Sequence, residues 1–218
     1  MSDIIREQLN KPFKEEDIEW RIQQSGKQGD KVWAMCLAYV TNRAIMERLD
    51  DVFGVFGWKN EFMPTPHNDG VMCGISVKHD GEWITKYDVA QNTDIEAVKG
   101  GISSAMKRTA VQFGIGRYLY NLDAGFANVV EKGTAGAKHA QTQDKTKFYW
   151  VPPVLPNWAL PIDNAQIKLI DELADKKDAN KEEMVKYFGL SALSTATKAQ
   201  GVTMIQMLEK KKDKEVTK

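Results

Sequence analysis

Residues 70–91 carry the strongest β-hairpin pattern in the sequence, and they constrain the fold more than any other stretch. On its two arms every second position suits a buried or half-buried strand face: Val71, Cys73, Ile75 and Val77, then Trp83, Thr85, Tyr87 and Val89. Between the arms, Asp80 and Gly81 are the residue pair that a tight two-residue turn favours. The stretch therefore predicts two antiparallel strands.

Helical patterns lie on both sides of this hairpin. Before it, Thr41 or Asn42 is a candidate N-cap, apolar residues follow at three- and four-residue steps, and Gly54 is a candidate C′ residue. Residues 57–64 then alternate as a further strand. The order of one helix, three antiparallel strands and a second helix predicts an α+β fold, with helices covering one sheet face.

Residues 94–122 follow the hairpin and predict one long helix. From Ala97 onwards this helix holds no acidic residue, although the net charge of the whole protein is zero. Its basic residues are Lys99, Lys107, Arg108 and Arg117. Four glycines lie within it: Gly100, Gly101, Gly114 and Gly116. The simplest interpretation is a core helix with a solvated basic edge, and the alternative is a surface for nucleic acid.

The residues before the first helix pattern predict a short amphipathic helix and two strands. Ile4, Ile5 and Leu9 could share one helical face. Alternation over residues 18–22 indicates a strand, residues 25–30 have the composition of a turn, and residues 31–40 are apolar enough for a buried strand.

Composition divides the chain into three predicted parts. Residues 1–130 form the core in this division. Residues 131–161 form a linker, in which 131–147 predict a mobile loop and 148–161 combine four prolines with large aromatic side chains, a mixture unsuited to a helix or a central strand. Residues 162–212 predict a small domain of three short amphipathic helices.

The two cysteines, Cys36 and Cys73, lie in apolar surroundings, which favours buried thiols in a reducing compartment. No apolar run approaches the roughly 18 residues of a membrane span, and the first ten residues lack the apolar region of a signal peptide. We therefore expect a cytoplasmic protein and no membrane partner.

The sequence offers little for catalysis. No histidine pair has metal-ligand spacing, and the motifs of a hydrolase nucleophile or a phosphate-binding loop are missing. A metal-dependent nuclease using Asp88, Asp94 or Glu96 stays open as an alternative. We otherwise expect no catalytic residue, no metal and no cofactor.

Binding of single-stranded nucleic acid is the function that remains. The cations are interleaved with aromatic residues, as in a groove where basic side chains follow phosphates and aromatic rings contact bases. The aromatic residues concerned are Trp58, Trp83, Tyr87, Tyr118 and Tyr120. The alternative is that lysine and arginine only keep the surface hydrated.

Two segments resemble the Rad fifty-two-type single-strand annealing proteins, most closely phage recombinases of the Sak type. The more specific is EAVKGGISSAMKRTAVQFG, with its acid-Ala-Val start, small pair, basic pair and aromatic-Gly end. The other is the first helix ending in Val-Phe-Gly, followed by Gly-Trp. The resemblance covers about residues 30–123 and continues more weakly to the C-terminal part.

This resemblance implies a β-β-β-α core that assembles into a homo-oligomeric ring or helix. It implies that single-stranded DNA lies in a basic groove and that complementary strands anneal without ATP in recombination and repair. Lys107 and Arg108 match the family's phosphate-contacting pair, and Arg43 approximately matches a basic residue of the first helix. Lys86, Lys99 and Arg117 are further DNA-binding candidates on charge and placement alone.

A protein-interaction module is the remaining alternative. In that interpretation the aromatic-proline segment and the helical C-terminal part recruit a single-strand-binding protein or an exonuclease. Both functions are compatible, since they use different segments.

Overall fold

The computed structural model of the protein describes residues 2–91, 97–123 and 125–213. Its α-helices are α1 Ser2–Asn10, α2 Asn42–Phe53, α3 Ala97–Gln112, α4 Asn164–Lys176, α5 Lys181–Tyr187 and α6 Lys198–Glu209. Its strands are β1 Ile18–Gln28, β2 Lys31–Val40, β3 Trp58–Pro64, β4 Gly70–His79, β5 Glu82–Gln91, β6 Gly125–Phe126, β7 Asn128–Val130, β8 Lys138–Gln141 and β9 Lys147–Val151. The mixture of helices and antiparallel sheets confirms the predicted α+β class.

The central sheet has the order β3-β4-β5, and all its pairs are antiparallel. The predicted turn between β4 and β5 is confirmed, with positive φ at Asp80 (50°) and Gly81 (87°). One face of β4 packs against α3, in an apolar cluster that also includes residues of α2, and Ile75 is 0% exposed. Burial stabilises the fold by about 1.5–3 kcal/mol for each large side chain. A shift of one residue would turn this face outward, so its burial fixes the register of the sheet.

Helix α2 begins where the sequence predicts. The hydroxyl of Thr41 accepts a hydrogen bond from the amide of Ala44 at 3.3 Å, and Gly54 follows the helix with φ of 75°. Ala44, Ile45 and Leu49 are its buried residues. The predicted start of the long helix at residue 94 lies outside the described residues.

The prediction of one helix over 94–122 is wrong at its C-terminal end. Helix α3 stops at Gln112, and Gly114 adopts φ of 98°. The amides of Gly114 and Ile115 donate to the carbonyls of Val111 and Ala110 at 3.0 and 3.2 Å, which is the Schellman arrangement. A short 3₁₀ turn, Arg117–Asn121, follows. Gly114 therefore ends the helix, and Gly116, with φ of 70°, precedes the 3₁₀ turn.

Strands β1 and β2 form a second antiparallel hairpin, to which β6 adds a short third strand. The predicted turn over residues 25–30 is too long, because β1 continues to Gln28 and only two residues separate the strands. Trp20 of β1 packs against the main apolar cluster, which contains residues of the central sheet, α2 and α3. Ala34 and Cys36 of β2 are fully buried in a second cluster.

That cluster forms against a third sheet, of order β7-β9-β8. The predicted loop over 131–147 is wrong, since β8 lies within it, and β9 is a central strand despite the prolines that follow it. Phe148 and Trp150 alternate inward and are 5% and 4% exposed, so the aromatic residues of this segment cover β2.

The C-terminal part contains helices α4, α5 and α6 around a separate apolar cluster that includes Ile170 and Met204. Glu7 of α1 connects this part to the rest of the chain, because its carboxylate accepts hydrogen bonds from the Ser191 amide and the Thr195 hydroxyl. The division into domains at residues 130 and 161 stays a prediction. Among the described residues, no helix is both long and apolar enough to cross a membrane.

Candidate nucleic-acid interface

A groove of about 750 Å³ separates the β1–β2 hairpin from α3 and the end of β5. The hairpin contributes one wall, with Trp20, Arg21, Leu37 and Tyr39. Helix α3 contributes the other, with Ser104, Lys107, Arg108 and Val111. The groove thus has cationic and aromatic side chains on facing walls, and it brings the predicted basic pair together with residues of a distant hairpin.

Lys107 reaches from α3 towards β1. Its side chain is 10% exposed, and its ammonium group forms an ion pair with Glu19. Burial lowers the pKa of Lys107, and the hydrogen bond and charge of Glu19 partly offset that effect. The ammonium group keeps donors for a further acceptor, because lysine has three and Glu19 is its one carboxylate partner among the described residues.

Arg108 lies next to Lys107 on the same helix and is far more accessible. Its side chain is 56% exposed, and its Nε donates to the carboxylate of Asp88 on β5 at 3.1 Å. The Asp88 carboxylate also accepts from the amide of Val89 at 2.7 Å and from Gln112 Nε2 at 3.4 Å. Asp88 is therefore fixed beside the groove by contacts that do not involve Arg108.

Arg21 is a groove residue that the sequence reasoning missed. It forms an ion pair with Glu19 at 2.9 Å, and its guanidinium carbon lies 6.0 Å from the centre of the Tyr39 ring. The alternation of Ile18, Trp20 and Ile22 could have found it, because a strand that buries these residues turns Arg21 to the opposite face.

Lys86 and Arg117 lie at the C-terminal end of α3. The Lys86 ammonium donates to the carbonyl of Gln112 at 2.8 Å and lies 4.7 Å from the Phe113 ring centre. Arg117 donates to the carbonyls of Val111 and Gln112 at 2.9 and 2.7 Å. Cations stabilise this end of a helix, where carbonyl groups lack intrahelical partners, so both residues already have a structural task.

Arg43 does not line the groove. Arg43 lies at the start of α2, forms an ion pair with Glu47 at 3.8 Å and is 72% exposed. It lines a different pocket, between α2 and β3. The side chain of Lys99 lies outside the described residues. For all six predicted DNA-binding residues, the contact with DNA itself stays a prediction.

The acids of the nuclease alternative do not form a metal site in the described part of the chain. Asp88 is the partner of Arg108, and Asp94 and Glu96 lie outside the described residues. Over 2–91, 97–123 and 125–213, no three histidine, cysteine or acidic side chains are grouped so that they could hold a metal ion.

Comparison with known proteins supports the predicted resemblance. The family model described as Rad52/22 family double-strand break repair protein matches residues 2–138. The single-stranded DNA-binding protein DdrA of Deinococcus radiodurans is 32% identical over 168 residues, which is 74% of this chain and 69% of that protein. DdrA of Deinococcus deserti is 31% identical over 167 residues, 74% of this chain and 72% of that protein. The family prediction is confirmed: the chain belongs to the Rad52/22 family of double-strand break repair proteins.

Proposed function

We propose that this protein binds single-stranded DNA along the groove between the β1–β2 hairpin and α3, and anneals complementary strands without ATP in recombination and repair. The observation that carries the proposal is the position of Lys107 and Arg108, adjacent on α3 and both lining that groove. Membership of the Rad52/22 family and similarity to two single-stranded DNA-binding proteins support it.

The chemistry of annealing fits a groove of this kind. Basic side chains that hold phosphates fix the strand without reading its sequence. Bases that remain accessible can then pair with a second strand, so that specificity comes from Watson–Crick pairing. The step forms hydrogen bonds and base stacks but breaks no covalent bond, and it needs neither a nucleophile nor a metal.

We further propose that the protein acts as a homo-oligomer, in a ring or an open helix. Val55 and Phe56, between α2 and β3, are 67% and 94% exposed, and an apolar pair this accessible favours burial against another chain. Strand β5 also has an unpaired edge within the described central sheet. Repetition of a weakly binding groove raises the overall affinity of the assembly through avidity.

The other candidate residues receive secondary roles in this proposal. Arg43 lies outside the groove, on α2 beside the pocket lined by Val55, so it could contact DNA only on a different part of the surface. Lys86 and Arg117 support the end of α3 that carries the basic pair. The C-terminal helices remain a candidate site for a single-strand-binding protein or an exonuclease, and the cytoplasmic location stays a prediction.

The test is the affinity for a fluorescent single-stranded oligonucleotide, measured by anisotropy at a fixed salt concentration. Replacing Lys107 and Arg108 together by alanine should abolish binding at physiological salt without changing the oligomeric state. Lys168→Ala with Lys186→Ala removes the same charge from the exposed surface of α4 and α5 and should bind as the wild type does. Unchanged affinity of the groove variant would refute the proposed site.

A further inference from the structure

Every groove cation described above already has a carboxylate partner within the protein. Arg108 pairs with Asp88 at 3.1 Å, and Glu19 pairs with both Lys107 and Arg21. Asp123 also lines the groove. Among the described residues in and beside the groove, three positive charges are thus matched by three negative ones, so this described part of the groove is close to neutral although it contains the predicted DNA-binding pair.

We propose that Glu19 and Asp88 limit the affinity of the groove for single-stranded DNA by competing with phosphate for its cations. The inference rests on the proposed function and adds residues that act against binding. A phosphate and a carboxylate accept hydrogen bonds from the same donors. Each phosphate that binds Lys107 or Arg108 must therefore displace a carboxylate or share the cation with it.

Asp88 cannot move far when Arg108 leaves it. Its carboxylate accepts from the amide of Val89 at 2.7 Å and from Gln112 Nε2 at 3.4 Å, and its side chain is 24% exposed. The freed negative charge therefore stays close to the phosphate that replaced it. The carboxylate of Asp88 and the phosphate are both negative and would lie close to the same guanidinium group. They therefore repel one another, and the repulsion weakens with added salt.

Glu19 acts in the same way from the opposite wall. It is 32% exposed and forms an ion pair with Lys107, whose side chain is 10% exposed and lines the groove. When a DNA strand dissociates, the Glu19 carboxylate forms its ion pair with the Lys107 ammonium group again. An internal partner of this kind raises the rate at which DNA dissociates, which suits a protein that must release its annealed product.

Asp88→Asn is the sharper test, because the Arg108 guanidinium stays protonated whatever its neighbour. We expect the variant to bind a labelled single-stranded oligonucleotide about two- to fivefold more tightly, the range that accessible ion pairs represent. The plot of log affinity against log salt should steepen by about 1, because no freed carboxylate takes up a cation. The gain should appear mainly in a slower dissociation rate.

The matched control is Asp171→Asn. Asp171 pairs with Lys181 at 2.9 Å in the C-terminal helices, so this variant loses the same charge and an ion pair of the same kind away from the groove. It should bind DNA with the wild-type affinity and salt dependence. An equal gain in both variants would show a general effect of net charge and would overturn the inference.

Unchanged or weaker binding by Asp88→Asn, in protein that melts at the wild-type temperature, would also overturn it, while the proposed function would stand. If Asp88→Asn does not fold, Glu19→Gln provides the same comparison on the other wall, with tighter binding expected and equal or weaker binding contradicting the inference. Wild-type protein that fails to bind would instead refute the proposed function, and this inference with it.

Discussion

Lys86 and Arg117 donate hydrogen bonds to the same carbonyl oxygen, that of Gln112, at 2.8 and 2.7 Å. One comes from β5 and the other from the turn after α3, so they tie the end of the helix to both neighbours. The basic pair Lys107 and Arg108 lies on the last turns of this helix, and the position of the pair depends on that anchor.

Replacing Arg117 by alanine should therefore act on stability. We expect the free energy of unfolding, measured by urea denaturation, to fall by about 1–2 kcal/mol, because carbonyls at the helix end lose a charged donor. Arg108→Ala breaks an accessible ion pair and should lower the free energy of unfolding by at most about 1 kcal/mol. It should nevertheless reduce DNA affinity more than Arg117→Ala does. A variant at Arg117 that loses DNA affinity and keeps full stability would assign this residue to the DNA instead.

Thr109 connects the same helix to the central strand. Its hydroxyl donates towards the carbonyls of Cys73 and Ala105, at 3.0 and 2.9 Å, and the residue is 0% exposed. Thr109→Val keeps the shape but removes the buried hydrogen bonds of this hydroxyl, so it should lower the free energy of unfolding by about 1–2 kcal/mol in urea.

Thr203→Val is the control for that change. Thr203 donates to the carbonyl of Ala199 at 3.1 Å, the same local helix bond, but in an exposed position. Its replacement should alter the free energy of unfolding by less than about 0.5 kcal/mol. Equal losses at the two positions would mean that the contact between Thr109 and Cys73 contributes nothing measurable.

The contact of Glu7 with the C-terminal part should depend on pH. Burial alone would raise the pKa of Glu7, but hydrogen bonds from Thr195 and Ser191 outweigh it and hold the pKa below its ordinary value of 4.5. The contact therefore stabilises the folded chain fully above about pH 4.5, and this contribution is lost as the pH falls through the lowered pKa of the folded state.

Thermal unfolding between pH 3 and 7 tests this expectation. The wild type should lose stability towards the acidic end more steeply than Glu7→Gln, in which no carboxylate titrates at this contact. Parallel curves for the two proteins would contradict the assignment of the lowered pKa to Glu7.

Local rules in the sequence account for much of the fold. The turn at Asp80 and Gly81 and the N-cap at Thr41 follow from residues adjacent in the chain, and both are confirmed. The end of α3 could also have been predicted, because Gly114 followed by an apolar Ile115 is typical of a helix C-terminus. Treating the four glycines as one group concealed that Gly114 ends the helix.

The site was less accessible to such reasoning. Lys107 and Arg108 came from the family resemblance, and their partners Glu19 and Asp88 lie 88 and 20 residues away in the chain. The packing of β1 and of β5 beside α3 is what brings Glu19 and Asp88 to these cations. The third sheet was missed because polar residues surround β8, and its short strands depend on burial of Phe148 and Trp150 against β2.

The central claim is that the groove beside α3 anneals single strands. It is tested most directly by the rate at which two complementary oligonucleotides form duplex, followed by fluorescence energy transfer without nucleotide or metal. The wild type and the Lys168→Ala, Lys186→Ala control should accelerate annealing equally, and Arg108→Ala, which keeps the buried Lys107 in place, should lose most of the acceleration. Full acceleration by a folded Arg108→Ala protein, or none by the wild type, would contradict the account.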